Sequence, residues 1–272
     1  QPSVTIAVLS MAFPAVLLGC SSGQLVSAIK QLGFNEVMED SFGPELVGRE
    51  YVRFLSETRL KPAISSNCPA VVSYIERYHP SLVGNLVPVV SPIIAMGRFI
   101  KKYYQPQAKV VFIGPCVAKK VESMEPDVAG AVDAVITFTE LSAMMAEKGI
   151  VPDRQSGQKF DGPVSRSGRL FSIEGGLLKI IGLSEDIMHN DVLSVHGRDH
   201  SVKIINEFAR GEIQARFANM YFCDGCIGGP FINNDLSGSR RKELVASYAR
   251  NDNITAGAEE SLEQYADLDL SR

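Results

Sequence analysis

An α/β fold with two lobes, each a mainly parallel sheet flanked by helices, is predicted from the pattern of the sequence. Apolar runs rich in β-branched residues, which are typical of strands, alternate with segments whose apolar residues recur at helical spacing. The alternation stops in a Gly, Ser and Arg-rich stretch at residues 155–169 and then resumes. Because strands that alternate with helices form parallel sheets, we expect one lobe on each side of a junction near residues 150–170.

The elements of the first half follow from these two patterns. Apolar residues at every third or fourth position predict its helices, and runs of Val, Ile and Phe predict its strands. Gly149 directly follows the last of these helices and suits a C-cap. In chain order, the predicted elements are a strand at 4–9, a helix at 23–32, a helix at 93–104, a strand at 110–113, a strand at 131–137 and a helix at 140–148.

The second half repeats the alternation and ends in an acidic tail. Its predicted elements are a helix at 175–182, a strand at 192–196, a helix at 202–211 and a strand at 218–222. From Asp252 onward the chain carries six Asp or Glu residues among few large apolar ones. We therefore assign residues 1–250 to one domain and residues 251–272 to a tail that forms a surface helix or a linker to a missing module.

Composition indicates a globular protein with no nucleic-acid partner and no membrane span. The 272 residues are 45% hydrophobic, and the 27 basic residues are scattered at a net charge of −4, so there is no basic stripe. The apolar run at residues 6–18 is broken by Ser10 and Pro14 and is shorter than the roughly 20 residues of a membrane span. The N-terminus lacks the basic region and cleavage site of a signal peptide, so we expect a cytoplasmic protein, either processed or part of a longer chain.

Four of the five cysteines lie in three short segments that are far apart in the sequence. Cys116 follows the strand predicted at 110–113 and Cys223 follows the one at 218–222, so both lie where α/β folds place their sites. Four thiolates are what a cubane iron-sulfur cluster requires, and free thiols are typical of a reducing compartment. The candidate metal ligands are Cys68, Cys116, Cys223 and Cys226.

Each segment alone has other interpretations. Cys223-x-x-Cys226 is compatible with a zinc knuckle, a redox dithiol, an iron-sulfur half-site or two buried small residues. The glycines around it favour a cluster, because they let backbone amides approach sulfur closely. Taken alone, Cys68 before Pro69 is interpreted as a buried core cysteine. Lys119 with the lysine after it is, taken alone, interpreted as a solvated basic pair.

Taken in order, the segments resemble the catalytic domain of the iron-iron hydrogenases. Within Gly-Pro-Cys-Val-Ala-Lys-Lys-Val-Glu, Lys119 and Glu122 are spaced to form an ion pair near an anionic cofactor. The three signatures of the family read T-S-C-C-P, P-C-x-x-K-x-x-E and C-x-x-x-C-x-x-G-G in the same order. The resemblance covers residues 4–235, and it includes the segments at 13–15, 24–34, 91–92, 168–171 and 174–176.

The resemblance implies a metal cofactor in the cleft between the two lobes. That cofactor is the H-cluster, a 4Fe-4S cubane joined to a diiron subcluster with carbonyl and cyanide ligands. The cubane would be held by Cys68, Cys116, Cys223 and Cys226. Cys226 would also bridge to the diiron subcluster, which dedicated maturation proteins install.

The resemblance also assigns residues around the diiron subcluster. Lys119 would donate a hydrogen bond to one cyanide, and Glu122 would hold Lys119 in place. The backbone of Pro14 and Ala15 would meet the other cyanide, and Phe171 would line the pocket. Because a cubane alone has no need of a cyanide donor, the presence of Lys119 and Glu122 indicates that a diiron unit is still accommodated.

The sequence departs from the family at the catalytic proton relay. Active members carry a second cysteine just before the first cubane ligand, where this chain has Asn67. An amide does not titrate in the ordinary pH range, so Asn67 cannot act as a general acid or base. The acidic pair that continues the proton route after the first strand is missing around residues 20–22. We therefore expect slow turnover.

Further departures change the pocket and indicate a sensory role. Gly114, Ile93 and Val71 stand where the family has Met, a polar residue and Trp, and the third signature is shortened to C-x-x-C. Cys20 has no counterpart in the signatures and is interpreted as a small core residue. These losses resemble the sensory hydrogenases, in which an H-cluster domain is fused to ferredoxin-like and PAS signalling modules. We therefore expect an iron-sulfur redox protein that senses H2, or slowly interconverts H2 with protons and electrons.

Three rival functions stay open from the sequence. A cubane-only iron-sulfur scaffold or electron-transfer protein, similar to the hydrogenase-like proteins of cytosolic iron-sulfur assembly, would lack carbonyl ligands. A competent but slow hydrogenase would use Asn67 and water as its relay. A zinc-stabilised interaction domain is the least favoured, because zinc would not call for the Lys119 motif.

Overall fold

The computed structural model describes residues 4–58, 62–185, 191–232, 234–251 and 262–272. The strands are β1 (Thr5–Leu9), β2 (Glu36–Glu39), β3 (Ala63–Ile64), β4 (Lys109–Gly114), β5 (Ala134–Thr137), β6 (Val192–His196) and β7 (Phe217–Tyr221). The helices are α1 (Ser22–Gln31), α2 (Phe42–Glu57), α3 (Pro69–Tyr78), α4 (Pro92–Phe99), α5 (Ala118–Glu122), α6 (Phe138–Glu147), α7 (Gly176–Ile180), α8 (Arg198–Ala209) and α9 (Gly238–Arg250). In this part of the chain no helix is long and apolar enough to cross a membrane.

Two parallel sheets flanked by helices form the framework, which confirms the predicted fold class. One sheet has the strand order β2-β1-β4-β5, and the other has the order β3-β7-β6. Each pair of neighbouring strands runs parallel. The carboxyl ends of the strands in each sheet therefore lie at one edge, and the loops that follow them meet there.

A reversal in strand order opens a crevice in the first sheet. The chain runs from β1 to β2 on one side and later returns to β4 on the other side of β1. Leu9 pairs with Ile113 at the carboxyl ends of β1 and β4, and the backbone N–H of Ser10 donates to the Ile113 carbonyl at 2.8 Å. Ligands of open α/β sheets bind at such a switch point. The loops after β1 and β4 are therefore placed to share a site.

The short strand β3 connects the two halves of the sequence. It precedes the expected junction near residues 150–170, yet Ala63 pairs with Phe217 and Ile64 with Ala218 of β7. The second sheet is thus built from both halves of the chain. An edge strand pairs with only one neighbouring strand, so it can come from a distant segment of the sequence. As a lobe boundary, the junction stays a prediction.

Helix α2 lies where the sequence patterns predict no element. It contains glycine and proline in its first turn, and Gly43 and Gly48 are both buried. A Cβ at Gly43 would lie 2.4 Å from the carbonyl oxygen of Pro92, and one at Gly48 would lie 2.5 Å from a methyl of Ile180. Residues that weaken an isolated helix are required here because α2 packs closely against α4 and α7. Strand β2 and helix α3 are likewise absent from the predicted elements.

Residues 262–272 pack against the core, although a surface helix or a linker is expected from their acidic composition. Tyr265, Leu268 and Leu270 are buried. The Tyr265 ring makes edge contacts with aromatic rings of α2 and α4. The expectation of a surface position is wrong for this part of the tail, because its three apolar side chains are covered by the domain. Residues 252–261 lie outside the described part of the chain, and a further module stays a prediction.

Candidate metal centre

The four candidate cysteines lie at the carboxyl ends of strands from both sheets. Cys68 follows β3, Cys116 follows β4, and Cys223 follows β7 with Cys226 further along the same loop. All four line one cavity of about 210 Å³ with largely apolar walls. In the described residues, no three His, Cys, Asp or Glu side chains converge to hold a single metal ion. The four cysteines therefore lie around the cavity and do not converge on a single point.

Local backbone structure presents the cysteines to this cavity. Cys68 is the N-cap of α3, and Pro69 takes the first helical position, where its missing N–H removes no hydrogen bond. Gly225 has a φ of +69°, in the left-handed region that favours glycine. A Cβ at Gly225 would lie 3.1 Å from the carbonyl oxygen of Ser172. Glycine thus lets the short C-x-x-C loop turn sharply against a neighbouring loop.

Burial and mutual proximity oppose the ionisation of the cavity thiols. Burial, reinforced by the charges of Cys68 and Cys116, raises the pKa of Cys223 to about 11. Burial likewise raises the pKa of Cys68 and of Cys226, in each case with Cys116 as the next contributor. Thiols that oppose one another's ionisation become thiolates when a metal binds between them. Four thiols around one cavity fit the donor set of a 4Fe-4S cubane.

Lys119 is a buried cation on the short helix α5. Its side chain is 6% exposed, and its Nζ lies 3.4 Å from Glu122 Oε2 and donates to Ser91 Oγ at 3.4 Å. The centroid of the Phe112 ring lies 5.8 Å away. Burial acts to lower the pKa of Lys119, but the charges of Glu122 and of nearby cysteine sulfurs outweigh it, and the net shift is upward. Lys119 is thus held as an ammonium within electrostatic reach of the cysteines.

A buried acid that the sequence patterns do not identify faces the same network. Asp40 directly follows β2, is 6% exposed, and its Oδ1 has no hydrogen-bond partner in the described structure. Burial, opposed by Lys119 and reinforced by Glu122, raises the pKa of Asp40 to about 7. Glu39, the last residue of β2, and Asp40 are adjacent acids, whereas the family resemblance places an acidic pair near residues 20–22. The available signal was two adjacent acids at the end of a short strand.

Asn67 is buried with an unsatisfied side chain. It is 2% exposed, and neither its Oδ1 nor its Nδ2 has a hydrogen-bond partner among the described residues. Ser66 before it is fixed by hydrogen bonds that include those from its N–H to Tyr51 Oη at 2.7 Å and from its Oγ to the Val89 carbonyl at 2.6 Å. A buried amide group without hydrogen-bond partners costs free energy of folding. The orphaned amide fits a site built around a polar cofactor.

The other predicted pocket residues come from loops that meet near the cavity. Pro14 and Ala15 lie in a 3-10 turn after β1. Phe171 is buried, and its carbonyl accepts a hydrogen bond at 3.2 Å from Tyr221 Oη, a residue that lines the cysteine cavity. Ser172 Oγ donates at 3.0 Å to a carbonyl in the loop after β1. The structure therefore connects these loops, while the roles of Pro14, Ala15 and Phe171 stay predictions.

A buried ion pair supports the loop that carries Phe171. Arg169 is 1% exposed, and its Nε and Nη2 donate to the two carboxylate oxygens of Glu39 at 2.9 and 3.0 Å. Tyr248 Oη also donates to Glu39. A Cβ at Gly168 would lie 1.7 Å from the Ser41 carbonyl oxygen, so only glycine permits this approach. The pair connects β2, this loop and α9.

The site combines four thiols, a buried ammonium and a buried carboxyl group whose pKa lies near neutrality. Thiolates can hold an iron-sulfur cluster, the ammonium can donate to an anionic group, and Asp40 can hold or release a proton near pH 7. The motifs identified the cysteines, Lys119 and Glu122. They did not identify Asp40, and they gave Ser91 no role, since the contacts of these two residues come from distant parts of the chain.

Comparison with known proteins identifies a matching family. The family described as "Iron only hydrogenase large subunit, C-terminal domain" matches residues 2–230 of the chain. Iron hydrogenase 1 of Clostridium pasteurianum is 28% identical over 283 residues, which cover 85% of this chain and 49% of the relative. A cytosolic Fe-S cluster assembly factor NAR1 homolog of Schizosaccharomyces japonicus is 33% identical over 102 residues, 34% of this chain and 20% of the relative. The chain spans about half the length, or less, of the curated relatives that it matches.

Solved structures show the same fold. A structure of an FeFe-hydrogenase described for oxygen inactivation of the H cluster superposes with a TM-score of 0.77 at 18% identity, covering 99% of this chain and 91% of that chain. An apo FeFe-hydrogenase of Chlamydomonas reinhardtii gives a TM-score of 0.74 at 19% identity, covering 96% of this chain and 87% of that chain. At this level of identity, the likeness establishes the fold.

Proposed function

Because the chain belongs to the iron-only hydrogenase large-subunit family, as its C-terminal domain, we propose that it is a low-activity member with a hydrogen-sensing or regulatory role. In this proposal it binds H2, or slowly interconverts H2 with protons and electrons. Electrons pass to ferredoxin-like modules, a PAS or other signalling module reads the state of the site, and the protein works in the cytoplasm.

The proposed cofactor is an H-cluster. Its cubane would be held by Cys68, Cys116, Cys223 and Cys226, and Cys226 would also hold the diiron subcluster. Support comes from the donor set, in which thiols from three separate loops line one cavity and oppose one another's ionisation. When bound, the cofactor supplies the redox chemistry and the position at which H2 binds.

The observation that carries the diiron part of the proposal is the buried ammonium of Lys119. Burying a charge costs free energy unless partners compensate it, and a cubane held by four thiolates has no need of this cation. Lys119 would donate to an anionic ligand of the diiron subcluster, while Glu122 orients it. The backbone of Pro14 and Ala15 would line the opposite side, and Phe171 would exclude water.

Low activity follows from the amide at the relay position. Asn67 can donate or accept a hydrogen bond, but it cannot take up and release a proton near neutral pH. Asp40 can hold a proton near pH 7, because burial raises its pKa to about 7. Without a titratable group at position 67, the transfer between this acid and the pocket depends on water, and turnover is slow.

A cubane-only scaffold or electron-transfer protein is the second candidate. The similarity to NAR1 assembly factors and the loss of a titratable group at Asn67 favour it. It predicts about four irons per chain and no carbonyl ligands, whereas the H-cluster raises the iron content to about six.

Infrared spectroscopy with iron analysis separates the two candidates. The protein is purified anaerobically, loaded with iron and sulfide, and treated with the maturation proteins of an active hydrogenase. We expect carbonyl and cyanide stretching bands, and we expect Cys20→Ser, which alters a cysteine outside the cavity, to keep them. A fully loaded sample without these bands overturns the first proposal in favour of the second. An active hydrogenase treated in parallel shows that the maturation step worked.

A further inference from the structure

Arg272 contacts the buried pair from outside the part of the chain that the family match covers, which ends at residue 230. Its Nη1 lies 3.9 Å from Glu122 Oε1. Among the described residues, neither of these two atoms has a hydrogen-bond partner, and both are buried. The other oxygen of Glu122 faces Lys119 Nζ at 3.4 Å. The carboxylate thus lies between two cations, one at each oxygen.

The chain segment before Arg272 is fixed to the domain by main-chain contacts. The N–H of Val90 donates to the Leu270 carbonyl at 2.9 Å, and Ser271 forms an antiparallel bridge with Val89. Arg98 Nη1 donates to two carbonyls of the segment, at 2.9 Å each. The Arg272 guanidinium is therefore held at the pair by a docked backbone.

Three carboxylates surround the guanidinium of Arg272. Its side chain is 13% exposed, and its Nη2 lies 2.7 Å from Glu125 Oε2 and 3.6 Å from Glu76 Oε1. Glu125 and Glu76 are partly exposed, whereas the side chain of Glu122 is fully buried. The guanidinium therefore lies between an inner carboxylate and two outer ones, and a planar fork of five donors is suited to such a position.

We propose that Arg272 is a positioning residue for Lys119, acting through the carboxylate of Glu122. With Arg272 present, a cation faces each oxygen of Glu122, and the carboxylate presents a fixed acceptor to the ammonium. Lysine is a point charge on a flexible stem, so the position of its Nζ depends on that acceptor. This inference rests on the proposed function only in that Lys119 serves an anionic cofactor group.

The first test measures energetic coupling between Arg272 and Glu122 in protein that carries the cubane alone. Arg272→Gln lowers the midpoint of anaerobic urea unfolding in the wild type, and by less than half as much in a Glu122→Gln background, since the buried charge is then absent. Lys102→Gln is the matched control. Lys102 anchors the same segment through Asp267 at 2.8 Å, so its effect is equal in both backgrounds. An equal effect of Arg272→Gln in both backgrounds overturns the inference.

The second test reads the position of Lys119 directly. In matured protein, we expect the cyanide band that shifts in Lys119→Met to shift also in Arg272→Gln. In Arg272→Lys, which keeps the positive charge, we expect this band at its wild-type position. If the wild type shows the bands and Arg272→Gln leaves them unchanged, the inference fails while the proposed function stands. If the wild type shows no bands, the proposed function fails, and the unfolding cycle alone decides whether Arg272 fixes Glu122.

Discussion

Lys119 and Glu122 form a buried ion pair one turn apart on a helix of five residues, with Nζ 3.4 Å from Oε2 and exposures of 6% and 0%. A helix of this length is not stable by itself, and its position therefore depends on the surrounding domain. Ser91 at the start of α4 accepts a hydrogen bond from the ammonium, and Arg272 faces the other carboxylate oxygen. The pair therefore depends on three separate parts of the chain.

Removing the ammonium should destabilise the protein strongly. Lys119→Met leaves the Glu122 carboxylate buried, and breaking a buried pair costs about 3–5 kcal/mol, with the low end expected here because Arg272 still faces Glu122. Anaerobic urea unfolding of the cubane-loaded protein measures the change. Lys120→Met is the control, since Lys120 pairs with Glu140 near the surface and its loss should cost under about 1 kcal/mol. Similar losses for both variants would contradict the buried-pair interpretation.

Asp40 should make stability fall as pH rises towards 8. Its folded-state pKa of about 7 exceeds the ordinary value of 3.8, so the folded protein keeps a proton that the unfolded chain releases. The stabilisation is complete below about pH 4, is lost as pH rises through about 7, and amounts to at most about 4 kcal/mol.

Unfolding midpoints of the wild type and Asp40→Asn between pH 5 and pH 8 test this prediction. The asparagine cannot ionise, so the midpoint of the variant should gain on that of the wild type as pH rises. Because other groups titrate equally in both proteins, they cancel in the difference. A difference that stays constant over this range would show that Asp40 is ionised throughout.

Restoring a thiol at the relay position should raise hydrogen turnover. Asn67→Cys introduces a titratable group in a buried position, and a positioned acid-base group contributes about 10²-fold or more. Dye-coupled H2 oxidation by the matured protein measures the rate. Asn67→Ser, which is small and does not titrate, should stay at the wild-type level. No gain in Asn67→Cys would indicate that the other changed pocket residues, such as Gly114, limit the rate.

Iron content should separate the cavity cysteines from the remaining one. Cys226→Ser removes a proposed ligand and should lower the reconstituted iron content well below about four per chain, because three thiolates hold a cubane weakly. Cys20→Ser should retain full iron, since Cys20 is half-buried and its Sγ lies 3.8 Å from the Leu17 carbonyl. Iron and sulfide analysis with electron paramagnetic resonance of the reduced protein distinguishes the two. Equal iron loss in both variants would remove the cysteine assignment.

Local patterns in the sequence predicted five of the strands and five of the helices in the described part of the chain. The strand predicted at 192–196 has the observed bounds of β6, and the helix predicted at 23–32 differs from α1 by one residue at each end. Helix α2 was missed because its glycines serve contacts with α4 and α7, which no local pattern shows. Helix α8 begins at Arg198, four residues before the predicted start. Its first turn, Arg-Asp-His-Ser, is polar and carries no apolar signal.

The sequence by itself determined the fold class, the family and the identity of the chemical groups. The cysteine motifs and the Lys119 motif are local patterns, so they can be recognised even where sequence identity is low. Only the tertiary structure decided which distant groups share the site. Asp40, Ser91 and Arg272 come to Lys119 and Glu122 from three other segments. Charges and hydrogen bonds act through space, so their partners depend on how the two sheets and the docked tail pack.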